Sequence, residues 1–180
     1  MLSPQENIIL VGFMGTGKSS LGRLIAKKTG RRFVDIDQMV VQSESREISQ
    51  IFKESGEDYF RRIETFLLGT LKAGSGLVIA TGGGIVTQPE NIPLLRAQGF
   101  VVWLQADEDE IFNRVSRNSN RPLLQTEDPR KTISDLLARR HPLYEAACHF
   151  SVDTTHLSHK QAADAVISEE TRRISVQNNV

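Results

Sequence analysis

Residues 8–21 read IILVGFMGTGKSSL: an apolar run that breaks into three glycines, a lysine and two serines. Four consecutive apolar residues bounded by a glycine suit a buried strand. Leu21, Leu24 and Ile25 then recur at helical spacing, and Gly30 supplies a stop. Between strand and helix, Gly12, Gly17, Lys18 and Ser19 match GxxxxGK[ST], with Gly15 inside the loop. Glycines at these places let successive backbone N–H groups converge on phosphate, and the helix N-terminus adds its dipole. Lys18 is then placed to reach β and γ phosphates, and Ser19 to ligate Mg²⁺.

Working outward, further β-like runs occur at Arg32–Ile36, Gly76–Ala80, Phe100–Leu104 and, more weakly, His149–Val152, each separated from the next by helical pattern. This alternation predicts an α/β fold of parallel strands joined by crossover helices. ADEDEIFNRV opens with acids where a helix dipole is positive, and EDPRKTISDLL offers Asp128 as a cap with Pro129 at the first helical position. Pro142 is expected to end or kink that second helix. Between them, roughly 115–129 is polar and poor in apolar periodicity, and reads either as a charged surface segment or as a mobile lid over phosphates. The chain of 180 residues is expected to form one domain, with 173–180 a frayed tail.

Composition narrows the partners. Lys plus Arg and Asp plus Glu both number 22, so there is no global positive field for nucleic acid or an anionic membrane. The N-terminal MLSPQEN carries neither a basic stretch nor an apolar core of a secretion signal, and no apolar run approaches the ~20 residues that span a bilayer, which makes the cytoplasm the expected compartment. The single cysteine, Cys148, lies in an apolar-leaning run and reads as a packing residue. The histidines form no convincing metal-ligand pattern.

Three further stretches carry chemistry. In FVDID, Asp35 and Asp37 stand two apart at a strand end, so extended geometry would turn both to one face, next to the phosphate loop if the second strand neighbours the first. One could serve a metal and the other an acceptor hydroxyl, or either could simply cap the next helix. In YFRRIETFLLGTL, Phe60, Ile63, Leu67 and Leu71 mark an apolar stripe flanked by Arg61 and Glu64, three apart and able to pair. Arg140 continues the apolar series Ile133, Leu136, Leu137, so a guanidinium falls where an inward apolar side chain was due. Such a charge needs an anion, either an acid of this chain or a carboxylate on a substrate. In TGGGIV, Thr81–Val86, consecutive glycines permit close backbone approach to a small ligand.

Taken in order and spacing, GFMGTGKSS, FVDID, FRRIE, TGGG, RPLL and RRHPLY resemble the shikimate kinase family of small P-loop kinases, over Ile8 to Tyr144. The resemblance implies a three-layer fold like that of nucleoside monophosphate kinases: a five-stranded parallel sheet in order 2-3-1-4-5, helices on both faces and a mobile lid. It implies transfer of the ATP γ-phosphoryl group to the 3-hydroxyl of shikimate, with Mg²⁺, in a monomer. By position it assigns Gly15, Thr16, Gly17, Lys18, Ser19 and Ser20 to ATP, Ser19 and, through water, Asp35 to Mg²⁺, and Asp37 to shikimate hydroxyls and the transferred proton. Arg61 and Arg140 would hold the shikimate carboxylate, Glu64 would orient Arg61, and the Gly82, Gly83 and Gly84 backbone would close on the ring. Arg121 would swing in with the lid as a catalytic cation, Arg114 would pack on adenine, and residues 38–75 would form the substrate-binding helices.

The chain departs from that pattern at QMVVQSESREI, where Val41 stands near a position at which members often carry an acid. The loop VDTTHLSHK diverges too far to transfer roles. A related kinase acting on gluconate or a nucleotide, and a non-catalytic ATP-binding module, are the competing readings. Two inward arginines beside FVDID disfavour a nucleotide acceptor, and an acceptor site has no use in a mere switch.

Overall fold

The computed structural model describes residues 5–116 and 126–177. Five strands, β1 (Asn7–Val11), β2 (Arg32–Asp35), β3 (Leu77–Ala80), β4 (Gly99–Gln105) and β5 (Phe150–Asp153), form one parallel sheet in the order β2-β3-β1-β4-β5. Every pairing is parallel, so all strands finish on the same edge. The path turns to β3 on one side of β1 and to β4 on the other, which opens a crevice at the C-terminal end of β1.

Alternation along β1 explains the layers. Ile8 and Leu10 pack with Leu21 and Ile25 of α1 (Lys18–Thr29) and with Ala162 and Val166 of α8 (His159–Gln177). Ile9 and Val11 pack on the other face, with Leu95 of α5 (Asn91–Gln98) and with Tyr144 and Ala147 of α7 (Pro129–Ala147). A strand buried on both faces reads as the continuous apolar run with which the sequence opened. Each of these fully buried aliphatics contributes roughly 1.5–3 kcal/mol of burial.

Between β2 and β3 lie α2 (Ile36–Glu44), α3 (Ile48–Ser55) and α4 (Glu57–Thr70), whose Val40, Ile51, Phe60 and Leu67 make a small core of their own. A second satellite joins Phe13 and Met14 of the phosphate loop to Ile111 and Val115 of α6 (Glu108–Ser116) and Ile133 of α7. The expected helix signals operate: Gly30 closes α1 in a left-handed conformation with its N–H on the Ala26 carbonyl, and Asp128 caps α7 by accepting from the Lys131 N–H.

Several expectations need correction. Ile36 begins α2 rather than ending β2. Of the two outcomes expected at Pro142, an end is not found: α7 continues to Ala147, with the buried Tyr144 and Ala147 packing the turns beyond the proline against its cost of a lost bond and a crowded carbonyl. The last helix runs to Gln177, beyond the Arg173 at which fraying is expected, with its inner turns anchored by the buried Arg31–Glu170 ion pair at 2.5 Å. Most of the stretch 115–129, for which a lid is one expectation, lies outside the described residues, and Arg121 with it.

Candidate active site

The glycine-rich loop folds into a nest, with Gly12, Gly15 and Gly17 at positive φ and the Thr16 N–H on the Phe13 carbonyl. Gly17, at φ 90°, is the N-cap of α1 and has no side chain with which to cap it, which leaves the first N–H groups of the helix directed at the crevice. Lys18 is buried, its ammonium donating to the carbonyls of Gly12 at 2.7 Å and Phe13 at 2.9 Å. It is folded over the loop it would serve. Around it opens a cavity of about 210 Å³, lined among others by Gly15, Ser19, Ser20, Asp37, Thr81 and Gly83. Thr16 is buried, its hydroxyl on the Phe13 carbonyl at 2.8 Å, so it shapes the loop from inside.

Asp37 reaches this cavity, with Asp35 behind it on Ser19, by a different route from the one extended geometry suggests. Asp35 is the last residue of β2 and the N-cap of α2, with Oδ1 accepting from the Asp37 and Gln38 N–H groups. Asp37 already belongs to the first turn of that helix. The strand-to-helix turn, rather than side-chain alternation, brings them together. Asp35 does cap, as its bland reading holds, and its second oxygen also accepts from Ser19 Oγ at 2.6 Å. Two hard oxygen donors thus sit side by side next to the phosphate nest, a set that suits Mg²⁺.

On the other side of the crevice, α4 carries Arg61 and Glu64 inward, 4% and 0% exposed. Arg61 donates Nη1 to Glu64 at 2.5 Å, and Nη2 and Nε to Glu57 at 2.8 and 3.2 Å. Glu57, one helical turn before Arg61, is a partner the sequence reading missed, although its i,i+4 spacing signals it. For Arg61, burial pulls downward but Glu64 and Glu57 together outweigh it, so the guanidinium is held charged. Glu64 shows the opposite balance: burial pushes its carboxyl up to about 7 from the ordinary 4.5, Arg61 opposes this and Asp37 adds to it. The upward push prevails because the side chain is wholly enclosed and the Asp37 carboxylate stands beside it, against the opposing charges of Arg61 and Arg140.

The TGGG turn closes this wall. A methyl at Gly82 would stand 2.0 Å from Glu64 Oε1 and 2.9 Å from Asp37 Oδ1, and one at Gly84 would stand 2.3 Å from Arg61 Nη2. Only hydrogen fits between the turn and these side chains. Gly83 presses its Cα against the phosphate loop, where a methyl would lie 3.1 Å from the Met14 nitrogen. Arg140, 4% exposed on α7, donates Nη1 to the Gly83 carbonyl at 3.2 Å, with its guanidinium 5.6 Å from the Phe13 ring centre. Among the described residues it makes no ion pair with a carboxylate. Of the two anionic partners its register demanded, an internal acid is therefore not found among them.

Behind the glycine-rich loop, Arg114 donates Nε to Glu110 at 2.7 Å, Nη1 to the Gly15 carbonyl at 3.3 Å and Nη2 to the Thr154 carbonyl at 3.0 Å. It bridges the phosphate loop and the segment after β5. Thr154 also holds that segment to β4 through the Gln105 carbonyl at 2.8 Å, a role the divergent VDTTHLSHK did not disclose.

The raised Glu64 sets a pH dependence of stability. Its folded value of about 7 lies above the ordinary 4.5, so its contribution is complete below pH 4.5 and is lost as pH rises through 7. The loss amounts to at most about 3 kcal/mol. The thermal midpoint of the wild type is expected to fall from pH 6 to pH 8 by several degrees more than that of Glu64→Gln. Parallel pH profiles for the two proteins would refute this assignment of charge.

A family model described as "Shikimate kinase" matches residues 14–171. A shikimate kinase of Thermodesulfovibrio yellowstonii is 45% identical over 167 residues, covering 93% of this chain and 96% of its own. One from Xylella fastidiosa (strain M12) is 39% identical over 178 residues, covering 99% of both. Among solved structures, a shikimate kinase from Acinetobacter baumannii in complex with shikimate superposes with a TM-score of 0.90 at 37% identity, over 94% of each chain.

Proposed function

Since the chain belongs to the shikimate kinase family, ATP-dependent phosphotransferases acting on shikimate, we propose that the crevice at the end of β1 carries ATP on its α1 side and shikimate on its α4–α7 side. The observation that carries the acceptor half is Arg140. It is buried, makes no ion pair among the described residues although Glu64 feels its charge, and faces across the Gly83–Gly84 turn an Arg61 that already has two carboxylate partners. A desolvated cation of this kind is stabilised by an anion brought from outside, and the shikimate carboxylate supplies one.

In this reading the Gly15–Ser20 loop and the N-terminus of α1 hold the nucleotide phosphates. Lys18 leaves the neutral Gly12 and Phe13 carbonyls to meet the anionic β and γ oxygens, so its ammonium exchanges dipolar acceptors for charged ones. Ser19 and Asp35 would hold Mg²⁺, Asp35 through water; the bound ion supplies charge neutralisation on the phosphates. Arg61, kept in place by Glu64 and Glu57, and Arg140 grip the carboxylate, which fixes the ring so that its 3-hydroxyl lies between Asp37 and the γ-phosphorus. The Gly82–Gly84 backbone closes on the other hydroxyls. The hydroxyl oxygen bonds to the γ-phosphorus, the bond to the β-phosphate oxygen breaks, and the hydroxyl proton passes to the Asp37 carboxylate. Positioning and charge stabilisation supply most of the acceleration, with no covalent enzyme intermediate. Arg114 packs on the adenine, and Arg121 closes over the phosphates from the lid. The protein works as a cytoplasmic monomer on two small molecules, without nucleic acid or membrane; no described helix is long and apolar enough to cross a bilayer.

Purified protein with ATP and Mg²⁺ should release ADP on addition of shikimate and give no comparable turnover with gluconate or a nucleoside monophosphate. Turnover of either alternative without turnover of shikimate overturns the reading.

A further inference from the structure

We infer that Tyr144 is a positioning residue for the acceptor site: its phenol holds the Gly83 carbonyl and, with it, the glycine turn and the Arg140 guanidinium. The inference rests on the functional reading above and adds to it a residue that no part of that reading uses.

Tyr144 lies four residues beyond Arg140 on α7, so both project from one face of the helix toward the turn. Its ring is 1% exposed and its hydroxyl donates to the Gly83 carbonyl oxygen, the same atom that accepts from Arg140 Nη1. Burial pushes the phenol up to about 12, against the pull of the neighbouring Arg140, so the group remains a donor throughout the working pH range. Gly83 has contacts on both sides: its carbonyl is held by α7, and its Cα rests against the Met14 nitrogen of the phosphate loop. Fixing that carbonyl fixes the peptide plane, and so the direction in which the backbone of Gly83 and Gly84 meets the acceptor. With one donor removed, Arg140 must supply the carbonyl alone, which draws its fork away from a substrate carboxylate. Tyr144 is thus a brace between the acceptor turn and α7, not a group that touches the reacting atoms.

The structure also supplies a reporter. Trp103, the one tryptophan of the chain, stacks on Tyr144 with ring centres 5.7 Å apart and planes inclined by 24°. Movement of the Gly83 turn on acceptor binding should therefore reach Trp103 through the phenol.

The test compares Tyr144→Phe, which keeps the ring and its stacking, with Tyr144→Leu, which keeps neither. Loss of one buried hydrogen bond scales to a roughly 3- to 10-fold effect. Tyr144→Phe is expected to raise KM for shikimate by that factor while KM for ATP stays within about 2-fold. The change in Trp103 fluorescence on shikimate addition should saturate at a correspondingly higher concentration. A Tyr144→Phe protein with the wild-type KM for shikimate, whether or not Tyr144→Leu is impaired, overturns the inference, since the ring alone then suffices. So does one in which both KM values rise together with a lower Tm, the mark of a packing role. Wild-type turnover of shikimate, measured alongside, tests the functional reading separately: its absence overturns that reading, whereas unchanged kinetics in Tyr144→Phe overturns only the role of the phenol.

Discussion

Asp37→Asn lowers kcat for shikimate by roughly 10³-fold, within the range that a positioned general base supplies, while the affinity for ATP stays within about 2-fold. Asparagine keeps the size of the side chain and its place in the first turn of α2, so the wall shared with Lys18, Ser19 and Gly83 is preserved. What it cannot do is take the proton released by the attacking hydroxyl. The distinction from Asp35 is geometric: Asp35 is tied to Ser19 Oγ and to two helix N–H groups beside α1, whereas Asp37 Oδ1 borders Gly82 on the side of α4. Removing the Asp37 charge should also lower the value at which Glu64 ionises, because Asp37 is one of the groups holding it up. Steady-state kinetics and nucleotide titration of the same preparation decide the matter. A parallel loss of ATP affinity would move Asp37 to the metal side and leave the reaction without its proposed base.

How far the sequence discloses such a site depends on whether a role is carried by local pattern or by packing between distant segments. Strand β1 is legible because burial on both faces leaves an unbroken apolar run, and α7 because Asp128 and Pro129 announce its start. The phosphate loop is legible because its glycines and its lysine lie within one stretch of chain. The acids of FVDID are placed by a geometry other than the one the sequence suggests: a period-2 reading continues the strand through Asp37, but Asp35 is a helix cap as well as a strand end, and a cap changes the period at once. The i,i+3 pair of Arg61 and Glu64 is visible, whereas their complete burial is not, because it comes from the TGGG turn some twenty residues later, set against them by β3 pairing with β1 and β2. Tyr144 escapes for the same reason. An aromatic at an apolar register position reads as core, and only the three-dimensional placement of the Gly83 carbonyl gives its hydroxyl something to hold.

Arg140→Ala raises KM for shikimate by about 10- to 100-fold with little change in kcat, and leaves KM for ATP unaltered. A hydrogen bond between charged groups in a buried site is worth roughly 1.5–3 kcal/mol. The carboxylate is remote from the reacting hydroxyl, so the contact is made equally in ground and transition states and its loss falls on KM. Stability separates this account from an internal structural one. If Arg140 were half of a buried ion pair, alanine would strand a carboxylate and lower the melting temperature sharply. In the structure it donates to the Gly83 carbonyl and faces the Phe13 ring, and the described residues include no carboxylate within ion-pair distance of it. Truncation therefore removes a desolvated charge, and Tm should hold or rise. Tyr144 still caps the Gly83 carbonyl in that variant, so Arg140→Ala and Tyr144→Phe share an acceptor and their effects on shikimate KM should fail to multiply when combined. An unchanged KM with a fallen Tm returns Arg140 to the framework, and the anion that its register demanded would have to be sought within the protein.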